Sequence, residues 1–209
     1  MTAPERRLIR TQVQRRADSR ALILDAAVRT LVEEGYRGAT TVTIQTRAGV
    51  SRGRLLHHFP SREELLIAAA HHLVTEHLTQ MEAQLADSLD GRLHGAPRID
   101  RATELLWATF HQPYFWAVME LWAAARTDEV LREELLAAER RLGRAVEDVV
   151  DAMYGSELTG RPAWPDLRRL LLSSMRGVAM TYALQPRDPA RDPHVALWQQ
   201  AARSMLLDG

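Results

Sequence analysis

Two capping positions set close together, Thr40 and Ser51, with Gly49 between them, constrain this chain more than any other feature of its sequence. Each hydroxyl can accept a hydrogen bond from the exposed backbone N–H groups of a helix's first turn. The interval leaves room for one short helix through Ala48 and a turn at Gly49-Val50. Ser51 then opens a second short helix, which Pro60 stops. Ile44, Ala48, Val50 and Leu55 have the spacing to pack the two helices together. A short helix, a glycine turn and a second short helix make the helix-turn-helix unit, which lays its second helix in the major groove of DNA. The same residues also fit a plain helical corner with solvated arginines.

The rest of the chain carries helical punctuation. Ser19 can cap a helix whose inner face is Leu22, Ile23, Ala26, Ala27, Thr30 and Leu31, and Gly35 sits where a helix-terminating glycine belongs. Ser61 with Glu64 forms a capping box for a long fourth helix, with Leu66, Leu73, His77, Met81 and Leu85 near one face. Asp87–Asp100 has the Gly and Pro of a loop. Further helical patterns cover Arg101–Phe110, Pro113–Arg126, Asp128–Tyr154, Asp166–Leu184 and Pro193–Leu207, with breaks at Pro113, "GSELTGRPAWP" and "QPRDPARDP". No strand-like alternation bounded by hairpin turns appears. The expected fold is all-α, with about nine helices: a basic arm over 1–18, a helix-turn-helix unit over 19–60 and a larger acidic bundle over 61–209.

The chain has no net charge, yet the charge is unevenly placed. Through Arg62 there are twelve arginines against five acids; beyond it, fifteen against twenty-two, and no lysine anywhere. Such an asymmetry suggests one segment that meets a polyanion and one that does not. Arg52 or Arg54 can reach guanine O6 and N7 with a two-pronged hydrogen bond. The second helix's N-terminus favours phosphate, and Gly53 permits close backbone approach. Arg6, Arg7, Arg10, Arg15 and Arg16 either add phosphate and minor-groove contacts or form a solvated arm. Cysteine is absent, so disulfide and thiolate chemistry is excluded. The N-terminus is too polar for a secretory signal. The most apolar stretch, "PYFWAVMELWAAA", contains Glu120 and is shorter than the roughly 20 residues needed to cross a bilayer. These features predict a cytoplasmic protein without a membrane partner, and no cofactor motif is present.

The stretch "ILDAAVRTLVEEGYRGATTVTIQTRAGVSRGRLLHHFPSREELL" resembles the DNA-binding region of the tetracycline-repressor (TetR) family, through the pattern AA…GY…TT…I…AGVS.G.L..HF.S.E.L over about Arg20–Leu66. The resemblance implies a homodimeric repressor of a double-stranded operator, released when a small molecule occupies the C-terminal bundle. It implies DNA contacts from Thr40, Thr43, Gln45, Arg47, Ser51, Arg52, Gly53, Arg54, His57 and Arg62, with His58 and Phe59 closing the small core. Leu56 and His57 stand where the family often has tyrosines, one of which commonly meets a phosphate. Leu56 cannot donate a hydrogen bond, which leaves the contact to His57. Arg62 replaces a frequent Lys and keeps its charge, and Gln45 replaces a usual Ala.

Aromatic and Met residues concentrate around Trp107–Trp122, and mixed rings and thioethers line adaptable pockets as readily as they fill plain core. With the resemblance, His77, Trp107, Phe110, His111, Phe115, Trp116, Met119, Trp122 and Met175 are expected to border an effector site for a partly apolar or aromatic molecule. The last two helices carry the stripes Leu167, Leu170, Leu171, Ser174, Met175 and Val178, then Val195, Trp198, Ala202, Met205 and Leu206. They are expected to form the dimer interface, or else to close the monomer's own core. Two rival functions also fit parts of the chain. A sequence-neutral DNA-binding protein would use the basic half alone. A helical metal enzyme would use His71, His72, Glu76 and His77, of which His72 and Glu76 share a face; no His-Glu-x-x-His pattern or third ligand is evident, and the chain is not expected to be an enzyme.

Overall fold

The structure is a computed structural model and describes residues 12–88 and 93–208. Among the described residues there are ten α-helices and no strand. They are α1 (Gln12–Gly38), α2 (Thr41–Ala48), α3 (Arg52–His58), α4 (Arg62–Ser88), α5 (Gly95–Thr109), α6 (Pro113–Ala125), α7 (Glu129–Tyr154), α8 (Ser156–Thr159), α9 (Trp164–Thr181) and α10 (His194–Leu207), with one 3-10 turn at Pro189–Arg191.

The short helices end where their capping chemistry places them. Thr40 Oγ1 accepts from Thr43 N at 3.1 Å, Ser51 Oγ from Arg54 N at 3.3 Å, and Ser61 Oγ from Glu64 N at 3.0 Å. Gly49 closes α2 in the left-handed region (φ 66°), which an L side chain rarely adopts. Three boundaries differ from the sequence expectation. Ser19 is no cap: α1 starts at Gln12 and runs through Ser19, which is buried, because the Gln, Arg and Ala residues upstream are good helix formers. Residues 12–18 are therefore helical rather than arm-like, while Arg6, Arg7 and Arg10 lie outside the described residues. Helix α5 begins at Gly95, inside the expected loop, since Pro97 sits in the first turn where its missing N–H breaks no helical bond. The break "GSELTGRPAWP" contains the one-turn helix α8, a tenth helix.

Burial divides into two clusters. The first joins Ile23, Ala27 and Leu31 of α1 to Ile44, Leu55 and Phe59, and to Leu65, Leu66 and Ala69 of α4. It continues without interruption into Ala117, Leu121 and Ala125 of α6 and Leu131, Leu135 and Ala138 of α7. The helix-turn-helix head thus shares its core with the bundle behind it. The second cluster packs α5 and the C-terminal half of α7 against α9 and α10. Inside it the Thr103 and Tyr154 hydroxyls are hydrogen-bonded at 2.8 Å, and burial pushes the Tyr154 hydroxyl up to about 12.

That second cluster corrects the expected dimer residues. Leu167, Leu171, Met175, Ala202, Trp198 and Leu206 are buried in the chain's own core. Trp198 Nε1 donates to Ser174 Oγ at 3.0 Å, and Ser174, Val178, Val195 and Met205 are half-buried at the edge. Both helices carry two apolar stripes, and the one with the larger side chains turned inward. The outward stripe holds Leu170, Gly177 and Met180 on α9 and Leu197 and Leu207 on α10.

Leu55 is the side chain that pins α3 to the head and is fully buried. Leu55→Ala is expected to cost about 2–5 kcal/mol of stability, read as a lowered urea midpoint by circular dichroism.

Candidate nucleic-acid interface and ligand cavity

Helix α3 has one inward residue, Leu55, and Phe59 closes the core just after it. Arg52, Gly53, Arg54, Leu56 and His57 are all exposed on its other faces. Among the described residues neither Arg52 nor Arg54 pairs with a carboxylate, so both guanidinium groups remain available to an outside acceptor. A side chain added at Gly53 would meet nothing within 4 Å. Its glycine is not required by the fold and keeps the surface flat beside the arginines. The Thr40 and Thr43 hydroxyls are within 2.8 Å of each other at the start of α2, and Gln45 is half-buried below.

Two expected DNA contacts are turned to internal tasks. Arg47 pairs with Glu33 at 2.7 Å and Glu34 at 3.1 Å, fastening α2 to the end of α1. Arg62 donates from Nε to the Ala39 carbonyl at 2.8 Å and from Nη2 to the Tyr36 carbonyl, while its guanidinium lies 4.0 Å from the centroid of the Tyr36 ring. These carbonyls belong to the frayed end of α1 and have no continuing helix to accept from. Arg62 keeps its charge, but its donors are used inside the protein.

The same helix end is held from the other side. At Gly35 the backbone leaves helical geometry (φ 68°, ψ −179°), and the Tyr36 N–H freed by the break donates to Glu120 Oε2 of α6 at 2.9 Å. A Cβ at Gly35 would lie 3.1 Å from that same oxygen. The local sequence marks a terminating glycine here but carries no sign of the carboxylate 85 positions later that closes the gap.

Between α4, α5, α6, α7 and α9 lies a cavity of about 340 Å³. Phe110, Phe115, Met119 and Trp122 line it as expected. The other expected residues do not. Trp107 is core and donates to the Pro189 carbonyl at 3.0 Å, His111 packs against Trp107 and Tyr182, and Met175 is fully buried elsewhere. Trp116 leans on Phe115 from outside, and His77 stacks behind the cavity on Tyr114 at 4.6 Å. Burial holds the His77 and His111 imidazoles below their ordinary value. The opposite wall lies outside the expected set: Val74, Leu78 and Met81 of α4, and Glu139, Leu142, Val146, Val150 and Met153 of α7. The α7 residues recur at helical spacing, so the apolar stripe was visible; its facing partner was not.

The metal reading finds no constellation. His72 Nε2 and Glu76 Oε1 are 3.3 Å apart, but His77 points to Tyr114. Among the described residues no three His, Cys, Asp or Glu side chains converge. No helix in the described residues is long and apolar enough to cross a membrane.

Two short helices packed through buried Ile44 and Leu55, with arginines facing outward on a head continuous with a helical bundle, make the architecture of helix-turn-helix DNA-binding transcriptional regulators. The model of "Bacterial regulatory proteins, tetR family" matches residues 23–69. The regulator CymR of Pseudomonas putida is 31% identical over 171 residues, spanning 82% of each chain. This chain therefore belongs to the TetR family. Among solved structures, a putative TetR-family regulator from Rhodococcus sp. superposes with a TM-score of 0.64 at 22% identity, covering 91% of this chain and 99% of that one. FadR from Bacillus subtilis, solved with stearoyl-CoA, gives 0.60 at 16% identity, covering 90% and 97%.

The inward fork of Arg62 makes a prediction. Arg62→Gln is expected to lower stability by about 1–3 kcal/mol, because two carbonyls lose their donor. The slope of log affinity for DNA against log salt should stay unchanged. A slope reduced by about one would return Arg62 to the phosphates.

Proposed function

We propose that the protein is a homodimeric transcriptional repressor that leaves its operator when a small molecule fills the cavity. The observation that supports it most directly is the pair of exposed guanidinium groups on Arg52 and Arg54, held on a helix whose intervening face is locked by Leu55. In this reading Arg52 and Arg54 read base edges across Gly53. Thr40, Thr43, Gln45, Ser51 and His57 meet the backbone or flanking groups. A second copy of the chain covers the outward stripe of α9 and α10, where Leu170, Met180 and Leu197 are exposed and Gly177 has nothing within 4 Å of a Cβ position. Two-fold pairing then spaces the reading helices about one DNA turn, roughly 34–36 Å, apart.

Release follows from shared helices. Helix α4 starts in the head at Arg62 and lines the cavity with Val74, Leu78 and Met81. Helix α6 lines it with Phe115, Met119 and Trp122 and holds the head through Glu120. A molecule that binds better when these helices are shifted favours the state in which the heads no longer match the operator. The FadR neighbour was solved in complex with stearoyl-CoA, and likeness of fold supports a small-molecule ligand here.

Selection of bound fragments from a genomic library, with and without candidate small molecules, tests the proposal. One operator should be enriched and lost on adding an effector; equal retention of random DNA at matched salt would replace the reading with sequence-neutral binding. Arg54→Ala is expected to weaken operator binding by about 1–3 kcal/mol and relax base preference at one position. Glu120→Ala is expected to preserve base preference but reduce the effector-induced loss of affinity by about fivefold, measured by fluorescence anisotropy with labelled operator.

A further inference from the structure

The cavity wall is apolar nearly everywhere, with one polar place. Glu139 of α7 and Arg176 of α9 both line it, beside Trp122 of α6. The Arg176 guanidinium lies 4.7 Å from the centroid of the Trp122 ring. Among the described residues it makes no hydrogen bond or ion pair. Glu139 Oε1 is buried and has no hydrogen-bond partner, while the Trp122 indole beside the carboxyl stabilises its charged form in part. The remaining polar groups of the wall are occupied: Thr109 Oγ1 donates to the Leu106 carbonyl at 2.7 Å, the Tyr114 hydroxyl is held by Thr109, and Glu147 pairs with Arg168 at 3.2 Å. The cavity therefore presents one unmet acceptor and one unmet donor group, and aromatic surface around them from Phe110, Tyr114, Phe115 and Trp122.

We propose that this cavity selects a net-neutral aromatic ligand whose single polar head, a hydroxyl or a primary amide, donates to Glu139 Oε1 and accepts from Arg176. The proposal rests on the reading of the cavity as the effector site. Its basis is charge balance. With Glu147 paired to Arg168, the wall holds one further negative and one positive side chain, Glu139 and Arg176. An anionic head would place two negative charges against one guanidinium, and a cationic head two positive charges against one carboxylate. Either leaves an uncompensated charge beside the half-buried Glu139 and Arg176, and partial loss of water makes that arrangement costly. A neutral head with a donor and an acceptor satisfies both side chains and leaves the balance intact. The shared electrostatic environment is consistent with this. Burial raises the Glu139 carboxyl above its usual range against the pull of Trp122 and Arg176, and burial lowers Arg176 against the pull of Glu139. A cavity of about 340 Å³ admits a fused two-ring body with such a head.

Calorimetric titration of the full chain with four probes on one naphthalene body separates the possibilities: the carboxamide, the methanol, the carboxylate and the methylammonium. The carboxamide and methanol are expected to bind at least about tenfold tighter than the two charged probes. Glu139→Gln leaves Arg176 unbalanced, so the carboxylate should gain about tenfold; Arg176→Gln should do the same for the ammonium. A purely structural role for either residue would weaken all four probes alike. Charged probes that match the neutral ones in the native protein, or variants without a response to the sign of charge, overturn the inference and leave the cavity as a ligand site. Leu142→Trp, which fills the cavity, should abolish all binding. Binding that survives Leu142→Trp, or no binding of any probe to the native protein, overturns the effector-site reading and the inference with it.

Discussion

The broken end of α1 is the joint on which the arrangement of this molecule depends. A helix that stops leaves carbonyls and N–H groups without partners, and a half-buried stop is stabilised when side chains supply them. Here two distant residues do so. Arg62 spreads its fork over the Tyr36 and Ala39 carbonyls, and Glu120 takes the Tyr36 N–H. The Tyr36 ring is held beneath the Arg62 guanidinium, and burial pushes its hydroxyl up against the opposing pull of Arg62. The direction in which the chain leaves Gly35, together with the packing of Ile44 and Leu55, sets where α2 and α3 stand, so a carboxylate on α6 and a guanidinium on α4 contribute to the placement of the helix that carries Arg52 and Arg54.

Helix α6 consequently serves two neighbours at once. Phe115, Met119 and Trp122 border the cavity, while Ala117, Leu121 and Ala125 belong to the apolar cluster of the head and Glu120 holds the α1 break. Packed helices slide or turn as units because their interiors are close-packed and resist local deformation. In the proposed release, a displacement of α6 that accommodates a ligand on one face is carried to the other face because both faces belong to one helix. Helix α4 gives the same result along its length, from Arg62 at the head to Met81 at the cavity.

Much of this was legible in the sequence where a rule is local. Thr40, Ser51 and Ser61 announce their helix starts because each caps the residue three positions on, and Gly49 announces an end because its N–H reaches back only to Gln45 and Thr46. The helical bundle and the placement of Leu55 follow from periodicity. What stayed hidden depends on partners far along the chain. Helices α9 and α10 each bear apolar residues on two faces, and periodicity cannot say that Leu171 and Met175 turn inward while Leu170 and Met180 turn out. In the same way, aromatic density located Phe115 and Met119 but could not separate them from Trp107 and His111, which face the α9–α10 layer. The cavity's polar place combines α6, α7 and α9 and leaves no sequence signal at all beyond a Glu within an apolar stripe.

Charge count shows the same difference between local and distributed information. The excess of arginine through Arg62 points to a polyanion, yet the arginines in that segment are unequal. Arg47 and Arg62 have their donors committed to carboxylates and carbonyls of the head, and Arg20 lies 5.3 Å from the centroid of the Phe59 ring. Moving one of these to a phosphate would expose partners that then lack a donor, so the gain at the DNA is offset by a loss within the fold. Arg52 and Arg54 carry no such debt. An interface is therefore marked less by how many positive side chains a segment holds than by which of them the folded protein leaves unpaired.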